Sequence, residues 1–266
     1  MAQHTALGTL FLIPTPLDFG CISADTAPDP IERWLPADTI QTASQLTHWI
    51  TENAKSTRAF LKRVDASRSL SVPLQAQHIV ELPRLTHKKG DHAPASAGDA
   101  EARALLAPLL MGHDMGLVSE AGMPAIADPG SSVVRAAHAM GAPVRPMTGP
   151  ISLMLALAAS GLNGQHFAFV GYVPQNADER GKRLRELESL SLKTGQTQIL
   201  IETPYRNAAL LSALLQSLHP HTRLSVSCAL GLTHQTTRSA LVADWKSQGL
   251  QKTLPLDAPA VFLLGR

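Results

Sequence analysis

The sequence predicts an α/β protein of two domains, and three observations support this prediction. Short apolar runs alternate with amphipathic helical patterns through most of the chain, and many runs end in loops that contain Gly or Pro. The 266 residues suffice for two domains that each bury their own core. The pattern changes character beyond Gly161. We therefore predict an N-terminal domain over residues 1–164, with a mostly parallel sheet and helices on both faces, and a smaller mixed α/β domain over residues 165–266.

The first strand is predicted over Leu7–Ile13 and ends at Pro14-Thr15-Pro16. Two prolines around one threonine make the exit from the sheet extended and rigid. This exit is interpreted either as a simple strand terminator or as the wall of a cofactor pocket. A short helix is predicted over Pro30–Trp34, a strand over Thr39–Ala43, and a strand or short helix over Leu46–Ile50. A basic helical turn follows over Ser56–Arg63, then a strand over Gln77–Leu82 and an amphipathic helix over Asp99–Met111.

The clearest pattern lies between Met115 and Leu162. It begins with a strand over Met115–Val118, a loop over Ser119–Gly130 and a helix over Ser131–Gly141. A second strand over Val144–Met147, a turn over Thr148–Pro150 and a second helix over Ser152–Ala159 follow. We expect both loops to lie at the carboxyl ends of neighbouring parallel strands, where open α/β sheets bind their ligands. Small residues there let a ligand contact the backbone, and the helix starts offer N–H groups to its polar atoms.

The second domain is predicted to contain a mixed sheet. Its strands are expected over Phe167–Val173, Gln198–Ile201, Leu224–Leu230 and Ala260–Leu264, and its helices over Asp178–Leu190 and Asn207–Leu218.

The charge balance is nearly neutral, with 23 basic and 21 acidic residues. It argues against a protein that simply coats nucleic acid, so any RNA contact must be local. Arg58, Lys62 and Arg63 are interpreted as a solvated helix face or, alternatively, as a phosphate-binding patch.

The polar segment Arg84–Gly98 contains two histidines around Asp91, which suggests a metal site. Their spacing matches no rigid ligand pattern, and Lys88 and Lys89 would repel a cation. We therefore predict a mobile surface loop, with substrate contact as the alternative and no metal.

Two cysteines, Cys21 and Cys228, lie far apart in the sequence, which favours buried thiols in a reducing compartment over a disulfide framework. Neither a signal peptide nor a run of ~20 apolar residues is present. We expect a soluble cytoplasmic protein.

Several common catalytic motifs are missing from the sequence: the glycine fingerprint for dinucleotides, the phosphate loop, Gly-x-Ser-x-Gly and paired Cys-x-x-Cys. Their absence weakens the common hydrolase, nicotinamide and zinc interpretations.

Five blocks carry most of the distinctive motifs. The first two are G-T-L-F-L-I-P-T-P-L over Gly8–Leu17 and L-V-S-E-A-G-M-P-A-I-A-D-P-G over Leu117–Gly130. The others are P-M-T-G-P-I-S-L-M-L-A-L-A-A-S-G-L over Pro146–Leu162, F-V-G-Y-V-P over Phe169–Pro174 and L-I-E-T-P-Y-R over Leu200–Arg206. Together they resemble the tetrapyrrole methylase superfamily, and within it most closely the small-subunit ribosomal RNA cytidine 2′-O-methyltransferases. The resemblance covers nearly the whole chain in the same order.

The resemblance implies a two-domain homodimer that binds S-adenosylmethionine in the cleft between its domains, largely through backbone groups of loops at strand ends. The positions that match cofactor-binding residues of the family are Pro14, Ser119, Glu120, Ala121, Ile126, Ile151, Ser152, Glu202, Thr203, Ala229 and Leu230. The candidates for contact with an RNA or small-ribosomal-subunit substrate are Arg58, Lys62, Lys88 and Lys89.

Glu120 is the candidate catalytic residue. Methyl transfer from a sulfonium is an in-line displacement, so alignment and exclusion of water supply much of the acceleration. A hydroxyl acceptor must also lose a proton, and Glu120 is expected to polarise the cofactor or the acceptor. The alternative is a structural carboxylate that accepts N–H bonds of its own loop.

The chain departs from this branch on the acceptor side. Asp18 follows Leu17 where the branch has glycine, and the Glu-Asp-Thr-Arg motif of the branch is replaced by Glu52–Arg58, with loss of an acidic partner. Three functions therefore stay open: a methyltransferase acting on ribosomal RNA, a methylase of a tetrapyrrole or other small molecule, and a cofactor-binding protein without catalysis.

Overall fold

The computed structural model describes residues 6–18, 20–21, 27–83 and 98–266. It forms two compact units, which divide between Pro150 and Ile151. Each unit contains one five-stranded sheet with hydrophobic residues buried against it. The predicted α/β fold class is therefore confirmed. Of the helices described, none has the length and apolar character needed to cross a bilayer.

The first unit is built on a parallel sheet. Its strands are β1 Leu10–Leu12, β2 His48–Thr51, β3 His78–Glu81, β4 Met115–Val118 and β5 Val144–Pro146. Its described α-helices are α1 Ala37–Gln45, α2 Ala54–Ser67, α3 Gly98–Leu105, α4 Ala107–Leu110 and α5 Ser131–Ala139. The strands pair in the order β3-β2-β4-β1-β5, and every pair is parallel.

Helices cover both faces of this sheet, as predicted. Successive side chains of a strand point to opposite faces. Phe11 and Trp49 therefore pack with α1 and α2 on one face, whereas Leu10 and Ile50 pack with α3, α4 and α5 on the other. Strands buried on both faces are expected for a parallel sheet and explain the continuous apolar run of β4.

The first strand occupies a position that the sequence did not predict. Leu10 of β1 pairs with Met115 of β4 on one side and with Val144 of β5 on the other. The expectation that β4 and β5 are neighbours is therefore wrong, because β1 lies between them. The exits from β4, β1 and β5 consequently follow one another along the carboxyl edge of the sheet.

The strand predicted over Thr39–Ala43 is also wrong, since these residues lie within α1. Pro36 precedes the first helical residue, where a missing N–H costs nothing, and Asp38 lies in the first turn, where a carboxylate favours the helix dipole. Ile40 and Ala43 are buried three residues apart, which is a helical spacing.

The second unit contains a mixed sheet, as predicted. Its strands are β6 Phe167–Gly171, β7 Thr197–Glu202, β8 Arg223–Cys228, β9 Thr236–Leu241 and β10 Ala260–Gly265. Its helices are α6 Ser152–Ser160, α7 Ala177–Thr194, α8 Asn207–Ser217 and α9 Val242–Gln248. The order is β6-β7-β10-β8-β9, in which β6 and β7 are parallel and the other pairs antiparallel.

Helix α6 belongs to the second unit. Leu153, Ala156 and Leu157 pack against Ile199 of β7 and against two residues of β10. The division between the units therefore falls before this helix, whereas the sequence placed the boundary after residue 164.

Both cysteines are among the described residues and neither forms a disulfide; Cys228 is buried, which raises the pKa of its thiol to about 12.

Three histidine rings stack at the amino edge of the first sheet. The ring of His48 lies between those of His78 and His113, with centroid distances of 4.7 and 4.9 Å. Burial, together with the charges that His78 and His113 would carry, lowers the pKa of His48 from its usual 6.5. This edge is opposite to the one that carries the predicted loops.

The stack predicts a loss of stability in mild acid. Because the unfolded chain binds a proton at His48 more readily than the folded chain does, the free energy of unfolding should be undiminished above pH 6.5 and fall as the pH drops below it. A His48→Phe variant keeps the stacked ring without the titration. Urea unfolding at several pH values should show a shallower fall for this variant, and parallel curves for the two proteins would contradict the prediction.

Candidate functional site

Two of the three loops at the carboxyl edge are joined by hydrogen bonds. Thr15 and Gly122 exchange backbone bonds of 2.9 and 3.0 Å, and the hydroxyl of Thr15 donates to the carbonyl of Ser119 over 3.2 Å. The Pro14–Pro16 exit of β1 is therefore fixed against the beginning of the loop that follows β4. Pro14, Thr15 and Ser119 are all buried.

The turn after β5 packs on the same exit. A Cβ built on Gly149 would lie 2.3 Å from Cγ of Pro14, so only glycine lets the turn approach this closely. The hydroxyl of Thr39 in α1 donates to the carbonyl of Thr148 over 2.8 Å and fixes the turn from another side. Three loops predicted separately thus meet within the first unit.

The loop after β4 contains backbone conformations that L residues rarely adopt. Ala125 and Ala127 have φ angles of 65° and 64°, in addition to Gly122 at 82° and Gly130 at 132°. Each non-glycine residue in this region costs roughly 1–3 kcal/mol, and such strain clusters at ligand sites. Ile126, between the two strained alanines, is exposed.

Three carboxylates surround the start of this loop. The backbone N–H of Glu120 donates to the carboxylate of Glu52 over 3.1 Å. Glu120 is half-buried. Burial, and then the charge of Glu52, raises the pKa of Asp128 to about 7; a hydrogen bond with Ser119 opposes this effect and the charge of Glu120 adds to it. Neither Glu52 nor Asp128 was among the predicted site residues, and the structure brings both side chains to the loop that contains Glu120.

A cavity of about 420 Å³ opens beside these loops. One wall is the exit of β1, another is α2, and a third is the start of the loop after β4. Its lining residues include Thr15, Asp18, Phe60, Lys62, Ser119 and Glu120. The volume is in the range of small-ligand pockets.

The predicted substrate cations have different surroundings. Lys62 is exposed and lines the cavity, whereas Arg58, one helical turn earlier, is exposed but is not in its lining. Arg63 is bound inward, with one guanidinium nitrogen 2.9 Å from the carboxylate of Asp18. Lys88 and Lys89 lie outside the described residues, as does most of the polar segment that contains them.

In the second unit, the predicted residues Glu202 and Thr203 follow β7 directly. One carboxylate oxygen of Glu202 accepts bonds from Arg206 over 2.7 and 3.0 Å and from the backbone N–H of Thr203 over 2.8 Å. Because this oxygen accepts all three bonds from neighbouring residues, the Glu202 side chain has a structural role in the second unit.

The other predicted positions in the second unit lie at element ends. Ile151 precedes α6 and Ser152 begins it, and both are half-buried. No side chain caps this helix start. Ala229, just after β8, has a φ of 54° and is buried, and Leu230 is half-buried. Among the residues that the structure describes, no three His, Cys, Asp or Glu side chains are grouped so that they could hold a metal ion.

Comparison with known families decides the assignment. Residues 29–245 match the profile of the family described as Tetrapyrrole (Corrin/Porphyrin) Methylases. The chain belongs to this family. The resemblance inferred from the sequence blocks is therefore confirmed.

Curated relatives of the chain carry the name Ribosomal RNA small subunit methyltransferase I. The protein from Pseudomonas aeruginosa is 35% identical over 137 residues, which are 50% of this chain and 47% of the relative. The protein from Micromonospora olivasterospora is 30% identical over 213 residues, 80% of this chain and 56% of the relative. The chain thus spans about half the length of the curated relatives that it matches.

Two solved structures share the fold of this chain. A uroporphyrin-III C-methyltransferase from Thermus thermophilus matches with a TM-score of 0.51 at 18% identity, over 97% of this chain and 94% of that one. A putative cobalamin synthesis related protein from Corynebacterium diphtheriae matches with a TM-score of 0.53 at 14% identity, over 97% and 98%. Identities this low indicate a common fold and carry no information about the substrate.

Proposed function

We propose that this protein is an S-adenosylmethionine-dependent methyltransferase that acts on ribosomal RNA of the small subunit. The observation that carries the proposal is the meeting of the Pro14–Pro16 exit, the loop after β4 and the turn at Gly149 at one edge of the first sheet. Membership of the methylase family supports the reaction. The names of the curated relatives support the substrate.

The groups at this edge fit the proposed cofactor. Its methionine part ends in a carboxylate and an amino group, which backbone N–H and C=O groups of strained loops can bind. Ala121 is the proposed backbone contact in the loop after β4. The bonds among Thr15, Ser119 and Gly122 hold this loop beside Pro14, and the missing Cβ of Gly149 keeps the loops together. Ile151 and Ser152 at the start of α6, Thr203, Ala229 and Leu230 remain proposed contacts.

S-adenosylmethionine, when bound, supplies an activated methyl group whose transfer needs alignment more than covalent help. Glu120 lines the cavity and is the proposed group for polarising the acceptor. Asp128 changes protonation near pH 7, so it can exchange a proton at neutral pH close to Ser119. The acidic groups Glu52 and Asp128 weigh against the interpretation as a cofactor-binding protein without catalysis.

A methylase of tetrapyrroles remains the second candidate because the shared fold also serves tetrapyrrole enzymes. Such a substrate carries many carboxylates. Among the described residues that line the cavity, Lys62 is exposed and could bind one of them, whereas Arg63 is paired with Asp18. Homodimer formation and a cytoplasmic location stay predictions of the family resemblance. Light scattering of the purified protein tests the former.

The test begins with calorimetric titration of S-adenosylhomocysteine. We expect micromolar binding to the wild-type chain. Ser152→Trp should weaken this binding at least about tenfold, because Ser152 is a proposed cofactor contact and an indole there would exclude the cofactor. Ser189→Trp, at an exposed serine of α7, is the matched control and should bind normally. Absence of binding to the wild type would refute the methyltransferase.

The acceptor is then tested with isolated ribosomal subunits. Purified protein and radiolabelled S-adenosylmethionine should transfer methyl groups to small subunits and leave large subunits unlabelled. Label in uroporphyrinogen and none in the subunits would favour the tetrapyrrole alternative.

A further inference from the structure

The two tyrosines of the sequence both lie exposed at one edge of the second sheet. Tyr172 directly follows β6, and Tyr205 lies three residues beyond the end of β7. They are 58% and 82% exposed, although folded proteins usually bury much of a tyrosine ring. Because β6 and β7 are parallel neighbours, their carboxyl ends lie at the same edge, with the strands about 5 Å apart. The strand order therefore brings two exposed rings to adjacent strand exits.

A guanidinium group orients the more exposed ring. Cζ of Arg206 lies 5.4 Å from the centroid of the Tyr205 ring, which is a cation–π distance. The same guanidinium donates bonds of 2.7 and 3.0 Å to the carboxylate of Glu202, whose side chain is only 6% exposed. Arg206 therefore links the exposed ring to a buried carboxylate and gives Tyr205 a preferred orientation outside the core.

The exit of β6 directs the other ring outward. The pairing of β6 with β7 shifts register between Phe169 and Gly171, immediately before Tyr172. Such irregularities bend a strand and redirect its side chains. The next residue, Val173, is 6% exposed and packs into the core of the second unit. Tyr172 is thus held between a register shift and a buried anchor, with its ring on the surface.

The surroundings of the two rings favour unpaired RNA bases as the ligand. Beyond Tyr172, the exposed positions Gln175 and Asn176 are polar, and Arg206 places a positive charge beside Tyr205. The rings therefore do not form the continuous apolar patch that the core of a protein interface requires. Exposed aromatic rings with an arginine beside them stack on bases that are not paired.

We propose that Tyr172 and Tyr205 form a stacking platform for unpaired bases of the RNA substrate, and that Arg206 is a positioning residue for Tyr205. The inference rests on the proposed RNA methyltransferase function and adds residues of the second unit to substrate binding. It concerns nucleotides that flank the acceptor, because stacking accepts any base and selects none. Tyr205 lies two residues from Thr203, a proposed cofactor contact.

The test measures fluorescence anisotropy of a labelled single-stranded RNA of about 12 nucleotides, with the duplex of the same sequence for comparison. Tyr172→Leu and Tyr205→Leu should each weaken binding of the single strand at least about fivefold, because leucine keeps apolar bulk but lacks the ring. Tyr172→Phe and Tyr205→Phe keep the ring and should bind like the wild type. Affinity for the duplex should not change, since its bases already stack on one another.

Two controls separate the stacking platform from general effects of aromatic residues and of folding. Phe167→Leu replaces a 39% exposed ring at the opposite end of β6 and should leave RNA affinity unchanged. The wild type is also irradiated with a strand that contains 5-iodouridine, which couples to stacked aromatic side chains. Mass spectrometry should locate the crosslinks at Tyr172 and Tyr205.

Folded leucine variants that bind the single strand as tightly as the wild type would overturn the inference. Absence of binding by the wild type, or crosslinks only at other residues, would overturn it even if the variants failed to fold. A changed oligomeric state of the leucine variants with unchanged RNA affinity would assign the rings to an interface between two copies instead. Binding of S-adenosylhomocysteine without these losses rejects this inference alone, whereas the losses without such binding reject the proposed methyltransferase.

Discussion

Asp128→Asn should stabilise the protein above neutral pH by about 2 kcal/mol. The pKa of Asp128 is raised to about 7 from 3.8, so the folded chain retains a proton there that the unfolded chain has already released. The free energy of unfolding therefore falls as the pH rises from 4 to 7, which is the range in which the two states bind different numbers of protons. A pKa difference of about three between the folded and unfolded states corresponds to roughly 4 kcal/mol, and the partial exposure of the Asp128 side chain reduces the expected effect.

The measurement is the difference between wild type and variant in chemical unfolding at several pH values. This difference should be smallest near pH 4, grow through pH 5 and 6, and become constant above pH 7. Asp178→Asn, in the first turn of α7, is the control for replacing a carboxylate by an amide elsewhere, and it should not stabilise the protein because a negative charge there favours the helix dipole. A constant difference would mean that Asp128 ionises normally in the folded chain.

The same substitution addresses function. Because Asp128 lies close to Ser119, Glu52 and Glu120, neutralising it changes the charge beside the proposed cofactor loop. A stabilising substitution that lowers methyl transfer would indicate that the wild type tolerates an unfavourable carboxylate for the sake of the reaction. Lower stability that accompanies higher activity is common at active sites.

The sequence predicted the elements that have strong local signals. The apolar run of β4 was assigned with its observed bounds, and the helix beginning at Ser152 was assigned correctly because Gly and Pro mark its start. By contrast, β9 was missed. Its sequence T-T-R-S-A-L contains no apolar run, and it is a half-buried edge strand that depends on pairing with β8.

Charged residues of the site were harder to predict than its loops. Glu52 meets Glu120 across 68 positions of sequence, and Arg63 meets Asp18 across 45. These contacts depend on the order of the strands, in which β1 is inserted between β4 and β5. Local periodicity contains no information about that order. The loops were found because small residues and prolines mark them locally.

Gly149→Ala should impair cofactor binding while the sheet stays folded. The new methyl group would lie 2.3 Å from Cγ and 2.6 Å from Cβ of the buried Pro14, and 3.0 Å from a methyl group of Leu35. A proline ring has little freedom to move aside, so the turn must shift away from the β1 exit. Overpacking of this kind costs typically 1–3 kcal/mol.

The affinity for S-adenosylhomocysteine should fall at least about tenfold, because the displaced turn no longer meets the exit of β1 and the loop after β4. Gly164→Ala is the matched control, since a Cβ there contacts nothing within 4 Å. Calorimetry and thermal unfolding are measured on both variants. Normal affinity in a destabilised Gly149→Ala would mean that the close approach serves only packing, and the proposed site would then have to exclude this turn.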